Sequence, residues 1–178
     1  MQRVFGAPPS PWAAPRFEEA LAGVRRLLPA FAGRTVLTRY VAPLVPSGAW
    51  VDYFALWPFA LVGHDDPLYE LVPPLSDSGA PVETRESFGK WDDGLARAVN
   101  GAGELVLAGV STDCCVIATA LAAADAGVRV RVAADACAGA SDADHERALA
   151  AMALFAPLIE ITDVATVLAG AQPVSSAP

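Results

Sequence analysis

The sequence is poor in the residues that build disulfide frameworks and metal sites. It has three cysteines and two histidines among 178 residues. Cys114 and Cys115 are neighbours, which can rarely bridge each other without severe strain, and Cys137 makes the number odd. His64 and His145 stand alone, outside the paired Cys and His patterns that bind zinc. We therefore predict no disulfide framework, no metal and no cofactor.

Long hydrophobic runs and basic clusters are also missing. No stretch approaches the roughly 18 uncharged apolar residues that a membrane span needs. The net charge is -8, with 12 basic against 20 acidic residues, and no basic cluster could follow a phosphate backbone. The opening segment MQRVFGAPPSPW lacks the apolar core of a secretory signal. We expect a cytoplasmic protein that binds neither membrane nor nucleic acid.

What the chain does contain favours a single globular domain. Hydrophobic residues make up 54% of the sequence and charged residues 18%, which is typical of a packed core rather than of disorder. The last residues are rich in Pro and Ser. We predict one domain over residues 1–172 and a flexible tail over residues 173–178.

The second half alternates strand and helix patterns. The short apolar run at 104–110 predicts a buried strand, and the Ala-rich segment 112–126, which stops at Gly127, predicts a helix. Further patterns predict a strand at 128–134, a helix at 142–156, a strand at 158–162 and a short helix at 164–169. This order predicts an open parallel sheet covered by helices.

The first half predicts one more helix and strand, followed by a long connection. The helix covers 16–31, the strand covers 35–41, and the segment 42–80 is dense in Pro and aromatic residues. Four aromatic residues of this segment, together with one that lies further along the chain, either line a site for a planar or apolar substrate or pack in a core or an interface. They are Trp50, Tyr53, Phe54, Trp57 and Trp91.

Cys114 and Cys115 lie where the predicted strand at 104–110 gives way to a helix. Ligands of open α/β sheets gather at the carboxyl ends of the strands. A helix start favours a thiolate, and its N–H groups can hold an oxyanion. Adjacent helical residues point about 100° apart, so we expect only one of the two thiols to face the strand ends. Spacing alone does not choose between them, and either could simply pack in the core.

These residues resemble the isochorismatase-like cysteine hydrolases, a family that includes nicotinamidases, N-carbamoyl amide hydrolases and isochorismatases. The matching positions are Gly109, Cys115-Val116, Thr119, Gly127 and Asp135-Ala136. The resemblance implies a single-domain, three-layer α/β/α sandwich with an open, mainly parallel sheet of Rossmann-type topology. It selects Cys115 over Cys114 as the nucleophile and implies a cis peptide between Val110 and Ser111.

The other catalytic residues of the family match less well. The family carries an Asp two residues before a Gln on its first strand, whereas this chain begins Met1-Gln2. We expect a truncated or misplaced start, with the first strand and the Asp upstream. Aligning the family's aromatic pair with Phe88 and Trp91 puts Arg85 at the position of the family's Lys, with Lys90 nearby, and both remain candidates.

The resemblance also suggests how the site works. The catalytic candidates are Cys115, Arg85 and Lys90, and the expected substrate contacts are Phe5, Trp91, Val110 and Ser111. The metal ligands of nicotinamidases are absent after the strand at 35–41, which disfavours that activity.

We predict a hydrolase of small amide-like metabolites that acts through a Cys thiolate and an acyl-enzyme. The alternatives are an isochorismatase-type vinyl ether hydrolase, a thiol redox protein, and a catalytically impaired binding or assembly subunit. Family habit predicts a homo-oligomer, a dimer or a tetramer.

Overall fold

The computed structural model of the chain describes residues 1–6 and 8–171, so the tail predicted at 173–178 lies outside the described residues. None of the described helices is long and apolar enough to cross a membrane. The described helices are α1 (Phe17–Leu27), α2 (Trp50–Leu56), α3 (Asp93–Ala98), α4 (Ile117–Asp125), α5 (Asp142–Ala153) and α6 (Val164–Gly170). The described strands are β1 (Leu37–Tyr40), β2 (Val82–Arg85), β3 (Glu104–Val110), β4 (Arg129–Ala138) and β5 (Ile159–Thr162).

The strands form two open parallel sheets. β1 pairs with β2, and β4 lies between β3 and β5. The alternation of strand and helix from β3 to β5 explains the parallel direction, because each helix returns the chain to the start of the next strand. The predicted α/β class, with open parallel sheets in one domain, is confirmed.

Helices cover both faces of the three-stranded sheet. Val130 and Val132 of β4 pack in one apolar cluster with residues of α4 and α5. Ala133 and Ala136 of the same strand pack in another cluster with the end of α1 and with α6. β4 is therefore buried on both faces, as a central parallel strand should be. This arrangement is the predicted three-layer sandwich.

Three described elements were not predicted from the sequence. α2 lies inside the segment expected to be a loop, and its Trp50 and Phe54 rings stack 5.8 Å apart. β2 has the mixed sequence VETR, and all its residues are exposed or half-buried, so it carries no hydrophobic signal. α3 is short and is capped by Asp92, which accepts a hydrogen bond from the Leu95 N–H group at 2.8 Å.

The start of the chain lies beside the free edge of β1. Residues Arg3–Phe5 form a 3-10 turn, and the backbone of Met1 and Arg3 pairs with Val72 and Glu70. Among the described residues, neither β1 nor β3 has a second strand partner. The first strand that the resemblance implies stays a prediction.

Candidate active site

The predicted nucleophile lies at the junction of β3 and α4. The peptide bond between Val110 and Ser111 is cis, as the resemblance implied. The chain then makes a π-helical turn, Thr112–Val116, before α4 begins. Cys115 is half-buried in this turn. The turn is anchored from α5, since the Thr112 hydroxyl and the His145 ring nitrogen Nδ1 lie 2.8 Å apart.

Cys115 faces a small cavity. Its volume is about 30 Å³, which is room for about two water molecules. The cavity lies at the carboxyl ends of β1 and β3, where ligands of α/β proteins gather. Its lining residues come from the chain start, β1, the segment before α3, and the β3–α4 junction: Met1, Gln2, Phe5, Thr38, Tyr40, Lys90, Val110 and Cys115.

The other two thiols are poorly suited to nucleophilic chemistry. The Cys114 sulfur lies 3.6 Å from the Asp113 carboxylate and does not line the cavity. Burial, aided by the charge of Asp113, raises the pKa of Cys114 to about 12. Burial also raises the pKa of Cys137 to about 12. Both thiols therefore stay protonated at neutral pH, and of the two neighbours only Cys115 faces the strand ends.

Lys90 is held beside this cavity although it is almost fully buried, with 4% of its surface exposed. Its ammonium donates hydrogen bonds to the backbone carbonyls of Ser87 and Phe88. Burial lowers the pKa of Lys90, and a negative charge on Cys115 opposes that shift. Burying an ammonium group costs free energy unless the group is paired. The two backbone carbonyls supply that pairing and hold the Lys90 ammonium beside the cavity.

Thr119 couples the Lys90 segment to the nucleophile turn. The Lys90 backbone N–H group donates to the Thr119 hydroxyl at 3.0 Å. That hydroxyl in turn donates to the Cys115 carbonyl at 2.7 Å. Thr119 is buried, so the two bonds are shielded from water. The sequence singled out Thr119 only as part of the family pattern, and its connecting role became visible in the structure.

Arg85, the other candidate for the Lys position, lies in a different environment. Its guanidinium bonds to both carboxylate oxygens of Asp92, at 2.6 and 2.8 Å. It also bonds to Glu83 at 2.9 Å. Asp92 above all, and then Glu83, raise the pKa of Arg85, so its guanidinium stays charged and is paired with their carboxylates. Arg85 does not line the cavity, so the structure brings Lys90, and not Arg85, together with Cys115.

Of the four predicted substrate contacts, two line the cavity and two do not. Phe5 and Val110 line the cavity, whereas Trp91 and Ser111 do not. Trp91 packs against the apolar cluster of β4, α4 and α5. The Ser111 hydroxyl donates to the Asp113 carboxylate, which also accepts the Ala140 N–H group.

The remaining aromatic residues form a packed cluster next to the cavity, in which Trp12 contacts the rings of the cavity-lining Phe5 and Tyr40. Trp12 lies at the centre of several ring contacts, 6.1 Å from both Tyr53 and Trp57. Trp50 contacts both Tyr53 and Phe54. None of Trp50, Tyr53, Phe54 and Trp57 lines the cavity. Of the two interpretations left open by the sequence, packing accounts for these contacts.

Gln2 and Tyr40 also line the cavity; the sequence pointed to Gln2 only through the family's Asp-x-Gln pattern and did not single out Tyr40. The Gln2 side chain accepts the Tyr40 N–H group at 2.8 Å and donates to the Tyr40 carbonyl at 2.7 Å. A second donation reaches the Tyr69 carbonyl at 2.9 Å. The Gln2 carboxamide thus makes the two hydrogen bonds to Tyr40 that the backbone of a neighbouring strand would make at the free edge of β1. No local pattern in the opening segment predicts these three hydrogen bonds, because their partners lie 38 and 67 residues away.

The ionisable side chains that the described residues contribute to the cavity are those of Tyr40, Lys90 and Cys115. Among residues 1–6 and 8–171, no Asp or Glu lines it. No group of three or more His, Cys, Asp or Glu that could hold a metal ion occurs in the described part of the chain.

Comparisons with solved structures agree with this architecture. A cysteine hydrolase from Pseudomonas syringae pv. phaseolicola 1448A has a TM-score of 0.82 and 19% identity, over 95% of this chain and 87% of that one. An isochorismatase family protein from Desulfovibrio vulgaris subsp. vulgaris str. Hildenborough has a TM-score of 0.80 and 21% identity, over 94% and 92%. YcaC from Escherichia coli, described as an octameric hydrolase of unknown specificity, has a TM-score of 0.64 and 23% identity, over 86% and 66%. At these identities the likeness establishes the fold.

The family comparison reaches further than the fold. No curated protein matches the sequence at a significant level. The family model for the Isochorismatase domain, however, matches residues 1–163. This range contains β1 to β5 and every residue that lines the cavity. The chain therefore belongs to the isochorismatase family of hydrolases.

Proposed function

We propose that the protein is a cysteine-dependent hydrolase of small amide-like metabolites, with Cys115 as the nucleophile. The observation that carries this proposal is the shared cavity, in which the half-buried Cys115 and the buried Lys90 meet at the carboxyl ends of β1 and β3. The family provides the reaction type, hydrolysis. The small volume of the cavity favours a small substrate.

The proposed reaction has two steps. The Cys115 thiolate attacks the amide carbon, a carbon–sulfur bond forms, and the carbonyl oxygen becomes an oxyanion. The carbon–nitrogen bond then breaks, and the proton originally on the thiol leaves with the amine. In the second step water attacks the thioester, which releases the carboxylic acid and restores the thiol.

Lys90 is the proposed electrostatic partner of these charges. Its ammonium has three N–H groups, and the carbonyls of Ser87 and Phe88 use two of them. A cation on the wall of the cavity favours the thiolate and the oxyanion over their neutral forms. Arg85 is less suited to this role because Asp92 and Glu83 already pair with it.

A second candidate function is that of a binding or assembly subunit without turnover. The observation in its favour is that no carboxylate of the described residues lines the cavity. The family pattern assigns the transfer of the thiol proton to an Asp. A thiol redox function has less support, because the high pKa values of Cys114 and Cys137 leave Cys115 without a reactive partner thiol.

The decisive experiment combines thiol labelling with turnover. The protein is treated with iodoacetamide at pH 7 and the modified cysteine is located by mass spectrometry. Ammonia release is measured on a panel of small primary amides and N-carbamoyl compounds. Cys115→Ser is compared with Cys114→Ser, its neighbour in the same turn. We expect labelling at Cys115 alone, and a loss of turnover of at least about 1000-fold in Cys115→Ser only.

Each possible result separates the candidates. Full turnover by Cys115→Ser would show that the nucleophile is wrongly assigned. Labelling at Cys115 without turnover of any compound would support the binding subunit. Equal loss in Cys114→Ser would point to damage of the turn rather than to lost chemistry.

We further propose a cytoplasmic homo-oligomer, a dimer or a tetramer. Several large apolar side chains near α2 are exposed, and the Escherichia coli relative is described as octameric. They are Leu44, Val45, Val51 and Leu56. The three free cysteines suit a reducing compartment. Light scattering coupled to size-exclusion chromatography tests the assembly, and a monomer at micromolar concentration would contradict it.

A further inference from the structure

One buried hydroxyl group on the cavity has no partner among the described residues. Tyr40 ends β1, is 3% exposed and lines the cavity. Its phenolic oxygen is buried, yet it makes no hydrogen bond within the described part of the chain. Buried polar groups are nearly always bonded, because leaving one unpaired costs free energy. An unpaired hydroxyl on a residue that lines a candidate active site therefore needs an explanation.

Tyr69 shows that this is not a general property of buried tyrosines in the protein. Its ring lies 6.1 Å from that of Tyr40, and it is equally buried. The Tyr69 hydroxyl accepts the Ala42 N–H group at 3.1 Å and donates to the Ala60 carbonyl. The fold thus gives the Tyr69 hydroxyl two partners, whereas the hydroxyl of Tyr40, a residue that lines the cavity, has none among the described residues.

The surroundings of Tyr40 decide what kind of ligand atom its hydroxyl can bind. The Lys90 ammonium lies 5.3 Å from the centre of the Tyr40 ring. Burial above all, with smaller contributions from neighbouring groups including Cys115, raises the pKa of Tyr40, so the hydroxyl keeps its proton. It can therefore donate a hydrogen bond to an acceptor atom of a ligand.

Gln2 and Lys90, two other residues on the cavity that carry N–H donors, already use most of those donors. Both N–H groups of the Gln2 carboxamide are used by the carbonyls of Tyr40 and Tyr69. Two of the N–H groups of Lys90 are used by backbone carbonyls. The cavity therefore presents donors beside Cys115 and, among the described residues, no carboxylate that would attract a donor.

We propose that Tyr40 is a substrate-binding residue, whose hydroxyl donates a hydrogen bond to an acceptor oxygen of a small amide substrate. This inference rests on the proposed function, because it places the ligand beside Cys115. It makes the site selective for compounds with a carbonyl oxygen, such as acetamide, over compounds that offer only donors, such as ethylammonium.

The test uses protection of Cys115 from methyl methanethiosulfonate, a small thiol reagent. Acetamide is added at increasing concentration, and the concentration that halves the rate of modification is measured. In Tyr40→Phe this concentration is expected to rise by about 3- to 10-fold, the value of one neutral hydrogen bond. Ethylammonium should protect neither protein.

Tyr69→Phe is the matched control, since it removes the same atom from a phenol with partners. Tyr40→Phe should leave the melting temperature unchanged or higher, because its hydroxyl makes no bond in the free protein. Tyr69→Phe should lower the melting temperature by about 3 to 10 °C, without changing protection by acetamide.

The outcomes distinguish this inference from the proposed function. Unchanged protection in Tyr40→Phe, with Cys115 still reactive, would overturn the role of Tyr40 and leave the nucleophile standing. A marked fall in melting temperature, or failure to fold, would also overturn it, because the hydroxyl would then have a structural partner. Protection by ethylammonium would overturn the proposed ligand class.

Discussion

Gly23→Ala is expected to destabilise the protein although it places alanine inside a helix. Gly23 is buried in α1, which packs across β4. A Cβ atom at this position would lie 2.8 Å from the Cα and Cβ atoms of Ala136 and from the carbonyl oxygen of Asp135. Two of these atoms belong to the backbone of a strand that is held between β3 and β5, so neither can move aside alone.

The expected magnitude is the balance of two effects. Replacing a helical glycine with alanine ordinarily stabilises a helix by about 1 kcal/mol. Overpacking a close contact costs about 1 to 3 kcal/mol, and backbone partners favour the upper end of that range. The net loss should be about 1 to 2 kcal/mol, or a fall in melting temperature of about 2 to 8 °C for a domain of this size.

Gly170→Ala provides the matched comparison. Gly170 ends α6, and a Cβ atom there would come no closer than 3.8 Å to an Arg131 side-chain nitrogen. It should raise the melting temperature slightly or leave it unchanged. Thermal unfolding followed by circular dichroism measures both variants. If Gly23→Ala were as stable as Gly170→Ala, the close approach of α1 to β4 would be wrong.

Two further predictions concern groups that hold the strand ends in place. Gln2→Leu removes three hydrogen bonds to the buried backbone of Tyr40 and Tyr69, so urea unfolding should show a loss of at least about 3 kcal/mol; a loss below about 1 kcal/mol would contradict this bonding. Asp92 has its pKa lowered to about 2, chiefly by its hydrogen bonds to Arg85. Because this pKa is below the ordinary value, ionised Asp92 adds to the free energy of unfolding above about pH 4, and this stabilisation disappears as the pH falls towards 2. The Asp92 side chain is 48% exposed, so solvent screening limits the contribution of its ion pair with Arg85 to about 1 kcal/mol of stability. The melting temperatures of wild type and Asp92→Asn should therefore differ at pH 7 and converge near pH 2.

The sequence predicted those elements whose signals are local. β3, α4, β4, α5 and β5 each have a continuous apolar or Ala-rich pattern with marked ends, and all were predicted close to their observed bounds. β2 and α3 were not, because they are short and mixed in character. Such elements form only when neighbouring segments supply strand pairing or a cap.

The choice among candidate site residues needed three-dimensional information. Cys114 and Cys115 are adjacent in sequence, and Arg85 and Lys90 lie in one short segment. The resemblance favoured Cys115, and the turn of the backbone at Thr112–Val116 directs that side chain to the cavity. Acidic partners hold Arg85 elsewhere, whereas backbone carbonyls hold Lys90 at the cavity.

The sequence by itself therefore determined the fold class and placed two candidate thiols, Cys114 and Cys115, at the end of a strand, since both follow from periodicity and from a local pattern. Only the tertiary structure decided which cation shares the cavity, and it alone revealed the contacts of Gln2 and the position of Tyr40 on the cavity. Their roles depend on contacts between β1 and distant parts of the chain, with Gln2 paired to residues 38 and 67 positions away. No local pattern records such contacts, because they arise when the strands pack together.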